Sequence, residues 1–310
     1  MLSFITATLL PVLILLCMGW IFHRIKWIDD AFVQTGSSLV FNVALPALLF
    51  LAISQADFSS AANLKLIGTG IAGTFILFSL LAVITHFFVT PKTAKGVVVQ
   101  GGFRANIGVV GLAYCASIYD QEGFAIASVY MGCLTILFNI LSVFILNFYQ
   151  GSSRSPLKQL KVMAKNPLII AIVTALAFSY YQWKLPQVLI HTGEYFAQLT
   201  LPLALICTGA SLQFRSFSSD WSNIAISTVS KCIIHPLIQV TLAYVMGLRK
   251  TELGIALFFS IAPTAAASYV MVRTLGGDPR LAASIIAIST LASLPITALA
   301  FGVLHSFGLL

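Results

Sequence analysis

Apolar residues fall into ten long runs along the chain, each ended by charged residues or by glycine and proline. A run of about 20 apolar residues is long enough to cross a bilayer as a helix. The pattern therefore predicts ten membrane-spanning helices, at residues 3–22, 32–53, 64–89, 95–118, 124–148, 167–182, 187–212, 221–246, 252–275 and 281–307. The first run has no basic residues ahead of it, so we interpret it as a retained helix rather than a secretory signal.

The composition agrees with this pattern. Hydrophobic residues make up 59% of the chain, charged residues only 8%, and the mean hydropathy is +0.98. Soluble domains carry about 25% charged residues. We therefore expect an all-α integral protein of the plasma membrane, the inner membrane in a bacterium. The five cysteines lie inside apolar segments without the spacing of metal ligands, so we expect no disulfide framework, no metal site and no cofactor.

The net charge of +8 comes mostly from short loops, which suggests topology rather than a nucleic-acid partner. Basic residues are concentrated in alternate loops: Arg24, Lys26, Lys92, Lys95, Arg154, Lys158, Lys161, Lys165, Arg215 and Arg280. The other loops carry only Lys65, Lys184, Arg249 and Lys250. Because cytoplasmic loops are the more basic ones, both termini are expected outside and the central linker inside.

The two halves of the chain resemble each other. Gly96 and Gly254 begin equivalent runs, and Asp120 and Asp278 follow them, each pair 158 positions apart (254 − 96 and 278 − 120). Pro46 and Pro202 match at nearly the same offset. These matches predict a five-helix repeat at 1–149, a cytoplasmic linker at 150–166 and a second repeat at 167–310. An odd number of spans inverts the second copy, an arrangement typical of secondary transporters.

Runs 4 and 9 contain residues that weaken a helix at matching depth. Run 4 has four glycines around Arg104 and Asn106, and run 9 reads SIAPTAAASY, with Pro263 and Thr264. Unwound backbone survives in a membrane only when buried or lining a cavity, and the N-termini of half-helices attract anions. The Asn106 amide and the Thr264 hydroxyl can bind the same ligand. The alternative is that the glycines serve close packing and the proline only kinks its helix.

Three stretches together resemble the auxin efflux carrier family, which includes bacterial carboxylate permeases and the PIN-formed auxin exporters of plants. They are LVFNVALPALLF, FRANIGVVG and APTAAASYVMVRTLGGD, and the resemblance covers essentially the whole chain. Leu49 stands where plant members often have serine, and the central loop is much shorter here. The substrate need not be indole-3-acetate.

The resemblance implies two inverted five-helix repeats, in which spans 1, 2, 6 and 7 form a scaffold that dimerises. Spans 3–5 and 8–10 would form a mobile transport domain. Helices 4 and 9 would be broken and would cross, with Asn106 and Pro263 at the crossing and Thr264 beside it.

The deep charges of the predicted spans are positive. All nine carboxylates fall in loops or at span ends, whereas Arg104 and Lys231 lie within runs 4 and 8. This balance suits an anionic substrate and disfavours a cation antiporter. Two alternatives stay open: Lys231 binds the carbonyls of a broken helix, or Arg104 extends to the membrane surface. His235, four residues after Lys231, either relays protons or bonds a neighbour.

The sequence therefore predicts a secondary transporter, slightly favouring efflux, that carries small organic carboxylates by elevator-type alternating access. The predicted substrate site contains Asn106, Arg104, Gly108, Pro263, Thr264, Ala265, Asn42 and Pro46, with Lys231 and His235 as coupling or electrostatic support. The expected partners are the carboxylate, the bilayer and a second copy of the chain. Alternatives are a sodium-coupled symporter of the bile acid type and a receptor that does not transport. The spans hold no catalytic cluster typical of an enzyme.

Overall fold

The computed structural model describes residues 10–55, 63–150, 167–212, 221–275 and 277–310. Its helices are α1 (Leu10–Arg24), α2 (Asp30–Ser54), α3 (Leu64–Phe88), α4a (Lys92–Phe103), α4b (Ile107–Ile118), α5 (Gln121–Gln150), α6 (Pro167–Tyr181), α7 (Gln187–Ala210), α8 (Trp221–Val245), α9a (Lys250–Ile261), α9b (Ala267–Leu275) and α10 (Pro279–Ser306). Each predicted run coincides with one of these helices, or with a pair of half-helices, to within a few residues outside the undescribed stretches. Almost all of the predicted linker lies outside the described residues.

Several helices have the length and composition of membrane spans. Five of those described, α2, α3, α5, α8 and α10, are long and apolar enough to cross a bilayer, while α1, α4b and α6 are shorter apolar helices. Large apolar side chains such as Phe87, Phe88 and Phe148 are exposed on the outside of the bundle. Lipid tails, rather than water, suit such a surface. The described chain is an all-helical membrane protein.

Both predicted interruptions are present, in α4 and in α9. Helix α9a ends at Ile261 because Ala262, the residue before Pro263, takes an extended ψ of 140°. A proline ring excludes the preceding residue from the helical region. Helix α4a ends at Phe103, and Arg104 is extended with ψ 94°. The break in α4 falls after Gly101 and Gly102, which remain helical.

These two glycines serve close packing, which was the alternative interpretation of the glycine-rich run. A Cβ at Gly101 would lie 2.5 Å from Oγ of Ser227, and one at Gly102 would lie 2.6 Å from Leu81. Both distances are shorter than any normal Cβ contact. The glycines therefore bring α4a against α8 and α3 and do not unwind the helix.

The helices pack in two sets. Helices α1, α2, α6 and α7 pack chiefly against one another, and α3, α4, α5, α8, α9 and α10 form the second set. The sets meet mainly where α5 packs against α2 and α6 and where α4b approaches α2 and α7. The first set is held tightly: a Cβ on Gly19 would lie 2.1 Å from the Ile206 carbonyl oxygen, and one on Gly209 would lie 2.0 Å from that of Leu16. Close backbone approach of this kind is typical of membrane helix pairs.

Asp120 and Asp278, matched by the repeat offset, make matching bonds. The Asp120 carboxylate accepts the N–H of Gly123 at 3.0 Å, and that of Asp278 accepts the N–H of Leu281 at 3.2 Å. Each satisfies a free donor in the first turn of the next helix, α5 or α10. These acids therefore cap helices at the ends of the bundle.

Candidate functional site

The two helix breaks lie side by side and pair like strands. Ala105 and Thr264 form an isolated antiparallel bridge. On either side of it the Asn106 N–H donates to the Pro263 carbonyl at 2.7 Å, and the Ala265 N–H donates to the Arg104 carbonyl at 3.0 Å. These bonds satisfy backbone groups that the broken helices leave unpaired in the bundle interior.

The pairing gives the breaks two faces. In an antiparallel pair, directly opposed residues point to the same face and their chain neighbours to the other. We therefore define the first face by Arg104, Asn106, Pro263 and Ala265, and the second face by Ala105 and Thr264. Contacts agree with this division, because Arg104 reaches Ser142 on α5 whereas Thr264 lies against α10.

Arg104 places a buried positive charge on the first face. Its side chain is 8% exposed, and Nη1 donates to the Ser142 hydroxyl at 3.2 Å. Its Nε is buried with no hydrogen-bond partner. The ion pairs seen among the described residues involve His23 and His191 and not Arg104. A buried charge without a counter-ion is costly, so this site favours an anion. Arg104 therefore does not extend to the surface.

Asn106 lies beside Arg104 at the start of α4b. Its side chain is 8% exposed, and its amide makes no hydrogen bond with the described residues. Its carbonyl accepts from Val110 and Gly111, so the N–H groups of residues 107–109 precede the first helical bond of α4b. Free N–H groups at a helix N-terminus attract negative charge.

Gly108 leaves room next to these groups. A Cβ there would lie 3.6 Å from Sδ of Met131 on α5 and 3.7 Å from Leu45 on α2, both ordinary contact distances. Gly108 is also partly exposed. The first face therefore adjoins the boundary between the two helix sets.

Asn42 and Pro46 lie on α2, which is not one of the two broken helices. Asn42 is exposed, and its amide donates to the Ser38 carbonyl of its own helix at 2.8 Å. Pro46 follows a π-helical segment, Val40–Ala44. The residue of α2 that approaches α4b is Leu45. The structure thus brings together Arg104, Asn106, Gly108, Pro263 and Ala265 but not Asn42.

Thr264 belongs to the second face. Its hydroxyl donates to the Gly101 carbonyl at 2.7 Å, and its N–H donates to the Ser289 hydroxyl at 3.1 Å. The expectation that Thr264 and Asn106 bind the same ligand therefore does not fit the pairing. Thr264 instead fixes the end of α4a to α10.

Lys231 joins α8 to the end of α9a. It is fully buried, and its ammonium donates to the Ser260 carbonyl in the last turn of α9a. Carbonyls in the last turn of a helix lack partners in that helix and carry partial negative charge. This contact agrees with the first alternative, in which Lys231 binds the carbonyls of a broken helix.

His235, one turn further along α8, contacts Lys231. Its Nδ1 lies 2.9 Å from Nζ of Lys231, and it accepts when Lys231 is an ammonium, which only donates. Its Nε2 is buried without a partner. His235 thus bonds a neighbour, and a proton relay through it stays a prediction.

Three serines near the breaks were missed by sequence reasoning. They are Ser142, which binds Arg104, Ser289, which binds the N–H of Thr264, and Ser268, which lies on the second face. Each is a single small hydroxyl in an apolar helix. A hydroxyl that bonds its own helix has the same sequence signature, so no pattern singles these out.

Comparison with known proteins identifies the family of this chain. The family described as Membrane transport protein matches residues 4–164 and 153–301, which together span nearly the whole chain. The chain belongs to this family. It is the family of the auxin efflux carriers, as the three sequence stretches indicated.

Relatives of the Membrane transport protein family match this chain over almost their full length. An "Uncharacterized transporter" of Methanothermobacter thermautotrophicus is 26% identical over 93% of this chain and 95% of the relative. The "Uncharacterized transporter YfdV" of Escherichia coli K12 is 24% identical over 94% and 95%. A Rhizobium meliloti protein named "Putative malonate transporter" is 25% identical over 93% and 92%. Family and relatives indicate a membrane transporter rather than an enzyme.

Proposed function

We propose that this protein is a secondary transporter of small organic carboxylate anions, which bind at the first face. The observation that carries the proposal is the buried Arg104 guanidinium, whose Nε has no partner and which has no ion-pair partner among the described carboxylates. The free amide of Asn106 and the first N–H groups of α4b lie beside it. Together they offer a charge, side-chain donors and backbone donors, which suits a carboxylate.

The substrate is expected to be short. The first face adjoins a partly exposed Gly108, and the space there is bounded by Met131 and Leu45, which lie 3.6 and 3.7 Å from the position of a Cβ on Gly108. One family relative is named for malonate. Malonate is therefore the first compound to test, followed by malate and lactate, with indole-3-acetate as the bulky comparison.

Transport would proceed by an elevator movement of the second helix set against the first. The two sets pack more within themselves than with each other, which supports a sliding boundary. In this scheme the first set is the scaffold and also the homodimer contact, and the ten spans form two inverted repeats with both termini outside a bacterial inner membrane. The membrane potential would expel an anion with about 2.3 kcal/mol per charge per 100 mV, which favours efflux.

The test is flux and current in proteoliposomes made with purified protein. We expect a saturable malonate flux that carries charge and that Asn106→Ala lowers at least about tenfold, since a lost hydrogen bond to a charged group costs roughly 1.5–3 kcal/mol. The matched control is Asn223→Ala, whose amide bonds the Thr90 carbonyl at 3.1 Å, at the end of α4a opposite to the break. Its flux should stay at the wild-type level.

The outcomes separate the candidate functions. Flux of none of the tested anions, with specific binding by thermal shift, would favour the receptor and overturn the transporter. Flux that strictly requires sodium would favour the symporter of the bile acid type.

A further inference from the structure

A narrow cleft lies on the second face, between α4a, the break in α9, α9b and α10. Its polar lining comes from Gln100, Gly101, Thr264 and Ser268, and α10 adds apolar side chains. The cleft is only partly enclosed, and it is too narrow for a free water molecule. It is separate from the first face, since Thr264 and Asn106 point in opposite directions from the paired backbone.

Two buried oxygen atoms in this cleft have no hydrogen-bond partner. Gln100 is fully buried, and its Oε1 is unpaired while its Nε2 lies 3.7 Å from Sδ of Met271. Ser268 is 2% exposed, and its Oγ is also unpaired. Buried polar atoms are nearly always satisfied, and leaving two of them unpaired in one cleft costs free energy. A bound species that these oxygens contact would remove that cost.

The oxygen atoms that line the cleft indicate which kind of ligand fits it. The cleft is lined by an amide oxygen, the Ser268 and Thr264 hydroxyls and Gly101, whose carbonyl lies in the last turn of α4a. Every one of these oxygens is neutral. Carbonyls at half-helix ends and in unwound backbone coordinate sodium in transporters, whereas protein sites for divalent cations rely on carboxylates. The width excludes an organic anion.

We propose that the second-face cleft is a binding site for a dehydrated monovalent cation of the size of sodium. The cation would contact the side-chain oxygens Gln100 Oε1, Ser268 Oγ and Thr264 Oγ1. It would be the partner that Gln100 Oε1 and Ser268 Oγ lack. Arg104 on the opposite face and Lys231 on α8 oppose the cation electrostatically. Binding is therefore expected to be weak and saturable at physiological sodium concentrations.

The cation would connect the two breaks. Gln100 belongs to α4a, whereas Thr264 and Ser268 belong to the interrupted part of α9 and to α9b. A ligand held by all three would fix the pairing of Ala105 with Thr264 and so the geometry of the first face. This consequence, sodium-assisted substrate binding, rests on the proposed function; the cation site itself does not.

The test is thermal unfolding of the purified, full-length protein without substrate, in sodium chloride against choline chloride at equal ionic strength. We expect sodium to raise Tm by at least about 2 °C in a saturable way, with potassium less effective. Gln100→Leu and Ser268→Ala should each abolish the sodium response. Because Gln100→Leu removes an unpaired atom without losing volume, it should fold as well as wild type in choline chloride.

Ser128→Ala is the matched control, since Ser128 is a buried serine on α5 whose hydroxyl bonds the Phe124 carbonyl of its own helix. It should keep the full response. A sodium effect no larger than that of choline would overturn the site, and so would a response that survives in both cleft variants. A sodium response without any carboxylate binding would keep the site and reject the proposed function. Carboxylate binding without a sodium response would do the reverse.

Discussion

The N–H of Asn106 donates to the carbonyl oxygen of Pro263, 2.7 Å away. Asn106, whose side-chain amide is free, is thus bonded through its backbone to Pro263, the proline that breaks α9. This bond and its partner between Ala265 and Arg104 give the breaks a fixed register. The register determines which side chains share a face, and so which ones can share a ligand.

Arg104→Gln should weaken substrate binding and leave folding intact. The loss of a charge-assisted hydrogen bond predicts a KM at least about tenfold higher for malonate flux. Since the substitution removes a buried charge that has no counter-ion, Tm should stay unchanged or rise. Arg104→Lys should recover part of the affinity. Flux kinetics and thermal unfolding measure the two effects separately.

Arg249→Gln is the control for this charge. Its guanidinium carbon lies 3.9 Å from the centre of the Tyr244 ring, and Nη1 donates to the Tyr244 carbonyl at the end of α8. The KM of the Arg249→Gln variant for malonate should match that of the wild type. A wild-type KM in Arg104→Gln would remove Arg104 from the site.

Lys231→Met should destabilise the protein. It leaves the Ser260 carbonyl in the last turn of α9a without this donor, and His235 loses its contact through Nδ1. An unsatisfied buried polar group costs roughly 1–3 kcal/mol, which would appear as a fall of several degrees in Tm. Methionine preserves the side-chain length. Lys65→Met, at an exposed lysine of α3, should leave Tm unchanged.

A stable Lys231→Met variant that loses only flux would contradict the role of Lys231 in joining α8 to the end of α9a. It would instead place Lys231 on the path of the substrate or of protons. Flux measured alongside Tm therefore decides between these roles.

Sequence reasoning reached the fold through strong local signals. Runs of apolar residues mark helices because lipid requires every backbone group to be bonded within its own segment. Pro263 marks the break in α9 because a proline restricts the residue before it. The sequence predicts the break in α4 in the right segment. It does not show that two of the glycines there stay helical. Gly101 and Gly102 proved to be packing residues.

The faces of the breaks were beyond sequence reasoning. Thr264 was grouped with Asn106 because both lie at matching depth, yet a shift of one residue in an extended segment reverses a side chain. The partner of Lys231 likewise depends on how α8 packs against α9a. The Gln100 and Ser268 pair joins positions that are remote in sequence, so no local pattern reveals it.

Gly209→Ala should destabilise the first helix set. A Cβ there would lie 2.0 Å from the backbone oxygen of Leu16, and a backbone atom moves only if the helices separate. Overpacking of this kind costs roughly 1–3 kcal/mol. Gly68→Ala is the matched control on α3, where a Cβ meets nothing within 4 Å. It should be neutral or stabilising by up to about 1 kcal/mol, since alanine favours a helix. Equal Tm values for the two variants would contradict the close α1–α7 contact.

Linking the two helix sets should stop transport if the second set slides against the first. Gln55, at the end of α2, and Gln121, at the start of α5, join the sets through a hydrogen bond of 2.6 Å between their exposed side chains. In a background with all five native cysteines replaced, Gln55→Cys and Gln121→Cys can be joined by a short bifunctional maleimide. We expect the linked protein to bind malonate and to lose its flux. His86→Cys with Lys95→Cys provides the matched control, because the Lys95 ammonium bonds the His86 carbonyl at 2.7 Å within the second set. That link moves with the set and should leave flux intact, so equal flux in the two linked proteins would rule out an elevator movement across the α2–α5 boundary.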